Sequence, residues 1–410
     1  MTRTWTLLLA LPLAACGGLQ ESEPPAALPQ PDLVARQLMV FEELSTRLAV
    51  EYVYADFGGM DWEAQTALVR AQIEWGMTDG EFSAALEALV LELPEGTASY
   101  TTRADRVQAE FESSIIYEGI GAFVAFRTDA EPRILLLSVI QGSPAERAGL
   151  RAHDAVYAVD GTPVTLEEGR AVIDRVRGPA GTEVTLVVAS PAESRRLVTV
   201  ERGKVSASDT LKGVILAPGL IYLQVPVNAD DSLLQALASL LQSLIDQEQT
   251  AQGLVLDLRI AGSSSQWPLS QMLGLLGHGP MGHFNSRAGD QPVDITGNDF
   301  ANSQSIPLAL LVGPDTSGAP EVFAAALQAI GRGPIIGLPT SGSVLSFQEY
   351  VLPDGSLLTF ADSSFVTPNG TDLSLSGLTP DLIVNLDWDE VGPGSDPVLL
   401  KAIELLQQQS

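Results

Sequence analysis

Gly253-Leu254-Val255-Leu256-Asp257-Leu258-Arg259 is the stretch on which the fold turns. Leu254 to Leu258 is a short, largely apolar run that follows Gly253, too short for a core helix and suited to a buried strand. Working outward, Gly219 to Val225 repeats the pattern. Between the two, Ser232 to Asp246 places Leu233, Leu237, Leu240, Leu241, Leu244 and Ile245 on one helical face. Downstream, Met272 to Leu276 is helical, Ile306 to Val312 is a third apolar strand, Glu321 to Ile330 a helix and Pro334 to Leu338 a fourth strand. Strands separated by helices of this length predict an α/β core, a largely parallel sheet covered by helices, over residues 206–390. Residues 391–410 follow as a C-terminal helix or tail.

Upstream, residues 114–205 have a different texture of short strands and turns. Ile134 to Ile140 is a buried strand, Gly142 to Leu150 a turn and short helix, and Ala155 to Val164 a hairpin around Asp160-Gly161. Leu166 to Val176 is expected to be helical, with strands at Glu183 to Ala189 and Arg196 to Glu201. The run Gly142-Ser143-Pro144-Ala145-Glu146-Arg147-Ala148-Gly149-Leu150, followed by Asp154 and Val159-Asp160-Gly161, resembles a PDZ domain, here inserted before the core. His153 stands where that resemblance usually has glycine. The resemblance implies capture of a protein or peptide C-terminus by strand addition, with loop amides holding the terminal carboxylate. The matching loop is Tyr117-Glu118-Gly119-Ile120-Gly121, so Gly119, Ile120 and Gly121 are the expected peptide-binding residues, with Ile120 as an apolar pocket wall. A PDZ fold that binds nothing stays open beside this.

Residues 32–113 carry helical spacing at Leu33, Gln37, Leu38, Phe41, Leu44, Leu48 and Tyr52. Asp79 is expected to cap a second run through Phe82, Leu86, Leu89 and Val90. Such stripes face a core, and no chemistry is assigned to them.

At the N-terminus, Arg3, the apolar run Trp5 to Leu13, and Leu13-Ala14-Ala15-Cys16 resemble a bacterial lipoprotein signal over residues 1–15. That resemblance implies lipid on Cys16, the single cysteine of the chain. An ordinary secretory signal is the alternative. Residues 16–31, with Pro24, Pro25, Pro29 and Pro31, read as an extended tether. The expected location is the cell envelope, on the periplasmic face of the outer membrane where the host has one, with membrane contact made through the lipid on Cys16. No disulfide can form within the chain.

The formal charge is −29, and Lys204, Lys212 and Lys401 are the only lysines. Such a surface repels phosphate backbones, which argues against nucleic-acid binding. No second apolar run reaches membrane-spanning length. No phosphate loop or dinucleotide fingerprint occurs, and neither a cofactor nor a metal site is expected. Asp230-Asp231 reads as a helix cap and Asp389-Glu390 as a solvated tail.

The order helical region, PDZ, α/β core resembles the carboxy-terminal processing, or tail-specific, serine peptidases. The resemblance is carried by Ser99-Tyr100, the PDZ run, Gly253 to Arg259, and Thr316-Ser317-Gly318-Ala319-Pro320-Glu321. It implies a serine nucleophile three residues before Glu321 and a lysine general base about 25 residues later. Serine needs such a base, and lysine can act as one only when burial lowers its pKa. In this chain the nucleophile position is Gly318 and the base position is Ser343. Three further positions depart from the family: Ala329, Phe347, and the loop Ile260-Ala261-Gly262-Ser263-Ser264, where only Gly262 suggests an oxyanion hole.

This reading favours a pseudo-peptidase that binds without cutting, leaving no confident catalytic residue. The first alternative is an active serine endopeptidase using Ser317, one residue and about 100° of helical rotation from the expected position. Its base would be His278, His283 or Asp315. The two histidines stand in Gly277-His278-Gly279-Pro280-Met281-Gly282-His283, read as a surface loop. The second alternative is an oligomeric scaffold.

Overall fold

The computed structural model describes residues 31–112, 116–129, 131–206, 211–247, 250–262, 267–374, 376–392 and 395–409. The expected signal, Cys16, nearly all of the expected tether, and Ser263 and Ser264 lie outside them.

The chain opens with α1 (Pro31–Glu51), α2 (Trp62–Trp75) and α3 (Asp79–Leu91), then β1 (Ala98–Thr101) and α4 (Arg103–Glu112). Most of the expected stripe is buried: Phe41, Leu44 and Leu48 of α1 and Tyr52 just beyond it pack with Trp62, Ile73, Phe82 and Leu86, while Leu33 and Leu38 are half-buried. Two expectations are corrected. The cap of α3 is Thr78, which forms a capping box with Glu81, and Asp79 is already inside the helix. The region is also not wholly helical, because Ser99 and Tyr100 lie in β1.

The PDZ unit contains β2 (Ile116–Gly119), β3 (Ala122–Arg127), β4 (Arg133–Val139), α5 (Pro144–Arg147), β5 (Ala155–Val159), β6 (Thr162–Pro163), α6 (Val172–Val176), β7 (Glu183–Ala189), β8 (Arg196–Glu201) and β9 (Gly203–Ser206). Its main sheet runs β3-β4-β5-β7-β8, which leaves β3 at an edge. The predicted helix at Leu166 to Val176 is shorter than expected: Leu166 is 56% exposed, and the buried stripe consists of Val172 and Val176 alone. His153, which stands where the resemblance usually has glycine, adopts φ 75°, in the left-handed region.

The third part comprises β10 (Lys212–Ala217), β11 (Leu220–Gln224), α7 (Ser232–Asp246), β12 (Gly253–Asp257), α8 (Leu269–Leu276), β13 (Gly279–Ser286), β14 (Gly289–Ile295), β15 (Leu308–Val312), α9 (Ala319–Ala329), β16 (Ile335–Gly337), β17 (Leu345–Val351), β18 (Leu357–Val366), β19 (Leu382–Ile383) and α10 (Pro397–Gln409). The central sheet runs β10-β11-β12-β15-β16-β19 and is parallel except at β10. β12 is buried at all five positions, as its sequence required. A second, antiparallel sheet combines β1, β18, β13, β14 and β17. Leu358 and Phe360 of β18 complete the core of the N-terminal helices, so that region shares a core with the third part. Of the stretch read as a loop, Gly277 and His278 precede β13, whereas His283 lies within it, because β13 pairs with both β14 and β18.

The PDZ unit is held on the core by the segment after β19. Trp388, 6% exposed, donates its indole N–H to the carbonyls of Leu136 and Leu137 at 3.2 and 3.1 Å. Its own carbonyl lies 2.7 Å from Nδ1 of His153, and the guanidinium of Arg259 sits over its ring. Arg133 of β4 pairs with Asp389, so that acid is a buried docking group and not part of a solvated tail. Phe123, Ala125, Leu135 and Leu137 form the apolar face that meets Ile260 and Val227.

Candidate active cleft and peptide-binding loop

The cleft is built where β12 and β15 end. Asp257 closes β12 and Arg259 turns back on it, with Nη2 2.7 Å from Oδ2 of Asp257, while Tyr222 donates to the same carboxylate. Burial alone would raise the pKa of Asp257, but the Arg259 guanidinium beside it holds the carboxyl below its ordinary value. Arg259 also pairs with Asp396, which fixes the start of α10. The Asp-Leu-Arg run therefore ties the sheet to the C-terminal helix and presents no free acid.

Beyond β15 the chain makes a tight elbow into α9. Thr316, fully buried, accepts from the Gly313 amide at 2.9 Å and donates to the Leu258 carbonyl at 2.8 Å. Ser317 N–H donates to Ala261 O at 3.0 Å. Gly318 then takes φ 65°, ψ −132°, a conformation open to glycine and costly to any residue with a Cβ. Its N–H donates to the carbonyl of Ser343 at 2.9 Å. The structure thus brings together the two positions that sequence comparison with the family singled out. Neither supplies a nucleophile or a base: one has no side chain, and the other is an exposed serine.

Two amides that could steady an oxyanion are also engaged. Gly262 N–H donates to Val227 O at 3.0 Å, as Gly318 N–H does to Ser343 O. An oxyanion hole needs such amides free and aimed at the reacting oxygen. Below them sits Glu321, fully buried, accepting from the hydroxyl of Thr340 and from the Gly342 amide at 2.8 Å. Burial pushes its pKa up, and these hydrogen bonds oppose that only in part. Glu321 fastens α9 to the segment that carries Ser343.

Ser317 is partly exposed in the elbow, and a Cβ placed on Gly262 would lie 3.8 Å from its Oγ. No base is brought to it among the described residues. His278 is paired with Gln304 at 2.8 Å, and His283 faces Asp290 across the β13–β14 hairpin at 3.8 Å. Asp315 is ion-paired to Arg127. Ala329 ends α9, and Phe347 is 44% exposed in β17.

In the PDZ loop the three expected residues divide. Gly119 is the last ladder residue of β2, opposite Gly203, and is not free in the loop. Ile120 is 5% exposed and lies in the PDZ core with Val172 and Val176, so it forms a floor, not an open wall. Its carbonyl accepts from Ala145 N at 2.7 Å, and that of Gly121 from Ile140 N at 3.0 Å. In a trans peptide the N–H points opposite to the C=O. The amides of Gly121 and Ala122 therefore aim away from Ala145 and from β4, that of Ala122 toward the open edge of β3. Gly121 has φ 83°, which lets the chain turn there.

The sequence reading missed the docking set of Arg127, Arg133, Asp387, Asp389 and Trp388. A tryptophan standing between two acids, Asp387 and Asp389, was the available signal.

The elbow, the Asp-Leu-Arg strand and the edge-exposed PDZ sheet define a peptidase-like fold with a peptide-recognition module. Residues 219–384 match peptidase family S41 and residues 136–190 match the PDZ domain, so the chain is a PDZ-bearing protein of the S41 peptidase fold. It is 29% identical over 304 residues to the carboxyl-terminal-processing protease of Synechocystis, covering 70% of this chain and 68% of the relative. It is 26% identical over 308 residues to a CtpA-like serine protease of Staphylococcus aureus, covering 74% of this chain and only 60% of the relative. The solved photosystem II D1 C-terminal processing protease superposes with TM-score 0.64 at 25% identity, covering 88% of this chain and 95% of that one. An S41 protease of Bacteroides fragilis superposes with TM-score 0.57 at 15% identity, covering 90% and 97% of the two chains.

Proposed function

We propose that this chain is an envelope lipoprotein that holds protein C-termini in its PDZ groove and does not cut them. The observation that carries the reading is the Gly318 N–H to Ser343 O bond at 2.9 Å. It joins the nucleophile and base positions of the family fold, and neither side chain can perform the step assigned to it there. Lys204, Lys212 and Lys401 are the only lysines, and the last is paired with Glu404 on α10, so no lysine stands in for Ser343. The aim of the Gly121 and Ala122 amides supports carboxylate capture at the start of β3. Lipid on Cys16 would keep this activity at the membrane, on the periplasmic face of the outer membrane where the host has one.

The test is binding of an apolar peptide with a free C-terminus against the same peptide amidated. Preference for the free acid is expected, with both peptides recovered intact. Equal binding of the two would remove the carboxylate loop from the account.

A further inference from the structure

The chain that follows Cys16 enters the folded body beside an exposed indole. α1 and α2 run antiparallel: Glu42 pairs with Arg70 at 2.6 Å, and Gln37 donates to the Met77 carbonyl at 3.2 Å. Trp75, the last residue of α2, therefore stands near the first turns of α1, where the tether arrives. It is 87% exposed, whereas Trp62, Trp267 and Trp388 are each 9% exposed or less. Leu68, two turns earlier, is 60% exposed. Ala64 and Ala71 are exposed between and beside them. At steps of four, three and four residues, Ala64, Leu68, Ala71 and Trp75 form one apolar stripe on the outside of α2.

We propose that this stripe rests in the interfacial layer of a zwitterionic lipid membrane, the one to which Cys16 is anchored; the proposal builds on the lipoprotein reading. A chain the length of residues 17–30 reaches at most about 50 Å, so an anchor on Cys16 keeps Trp75 within reach of the surface. An indole belongs at that depth, with its ring among the acyl chains and its N–H among the headgroups. The charge around the stripe selects the lipid. Glu63, Glu74 and Glu81 lie on or next to α2, while Asp79 beside them is paired with Arg36 at 3.0 Å, and an anionic surface would repel the three glutamates.

The experiment uses the chain beginning at Cys16, coupled through that thiol, the only one present, to maleimide-bearing lipid in phosphatidylcholine vesicles with dibrominated acyl chains. Tryptophan emission should be quenched and blue-shifted, and both effects should be lost in Trp75→Ser, a surface change that leaves the melting temperature unmoved. Equal quenching in the two proteins, or none in either, overturns the proposal. So does absence of quenching together with a dimer that becomes monomeric in Trp75→Ser, which would assign the stripe to a second copy. Because this coupling is artificial, the two failures are distinguishable: a full protein found without acyl chains on Cys16 would sink the lipoprotein reading and the anchored geometry built on it, whereas an unquenched Trp75 would sink the stripe alone.

Discussion

Arg127, the last residue of β3, is paired with Asp315, the residue before Thr316-Ser317-Gly318, with Nη1 to Oδ1 at 3.0 Å and a second bond from Nη2 to Oδ2. Its Nε also reaches Asp387 at 3.1 Å. The strand that begins at the carboxylate loop thus ends on the elbow of the cleft. A peptide added antiparallel to β3 with its C-terminus at Gly121 would run toward Asp315.

The Arg127 and Asp315 side chains are 12% and 14% exposed, so truncating one partner leaves a largely desolvated charge unpaired. Arg127→Ala should cost about 3 kcal/mol. Arg127→Lys should recover only part of this, because an ammonium cannot form the paired bonds of the guanidinium. Chemical denaturation of both variants checks this; a loss below about 1 kcal/mol for the alanine variant would mean the docking does not depend on the pair.

Restoring the family residues should not restore cleavage. Gly318→Ser puts a Cβ on a backbone at φ 65°, ψ −132° and should cost about 1–3 kcal/mol. Gly318→Ser with Ser343→Lys should still turn over no fluorogenic peptide, because the Gly318 and Gly262 amides remain bonded to Ser343 O and Val227 O. Loss of a single oxyanion donor already costs about a hundredfold or more in rate. Measurable turnover by the double variant would show that these amides are freed on substrate binding.

Glu321 gives a pH dependence of defined sign. Its pKa in the folded protein is raised by burial above the ordinary 4.5, so the folded state keeps a proton that the unfolded state releases. The associated stability is fully present below 4.5 and is lost as the pH rises through the folded value. Glu321→Gln keeps a neutral acceptor for Thr340 and Gly342. Its stability should therefore change less than that of the parent as the pH is raised from 4.5 toward neutrality, as followed by thermal melting at several pH values. Parallel curves would remove Glu321 as the source.

Gly121 is a poor place to block the groove cleanly. A Cβ there would clash with Cβ of Ser143 and lie 3.1 Å from Cγ1 of Val205, and φ is 83°. Gly121→Val should lower the melting temperature of the PDZ unit as well as abolish peptide binding. An unchanged melt with lost binding would place the new side chain in the groove and not against Ser143.

The α/β core was legible because its strands are buried on both faces and therefore read as apolar runs, as in Leu254 to Leu256 and Leu308 to Val312. The antiparallel sheet was not. β13 is half exposed and mixes glycine, serine and asparagine with apolar residues, and it pairs with β18 far along the chain. β17 pairs with the β18 that directly follows it, but Ser346, Gln348 and Glu349 break up its apolar pattern. The same holds for the site. Gly318 and Ser343 could be located by motif spacing, whereas Arg127 with Asp315 and Arg133 with Asp389 join positions far apart in sequence. Asp389 read as solvated because nothing local showed that Arg133 would cover it.

The account stands most directly on proteolysis by the chain from Pro31 onward, offered an unfolded substrate with an apolar C-terminus, beside its Ser317→Ala variant. Binding of the substrate C-terminus without any cleavage product, from either protein, is the predicted result. Cleavage by the parent that disappears in Ser317→Ala would contradict it and make Ser317 a relocated nucleophile.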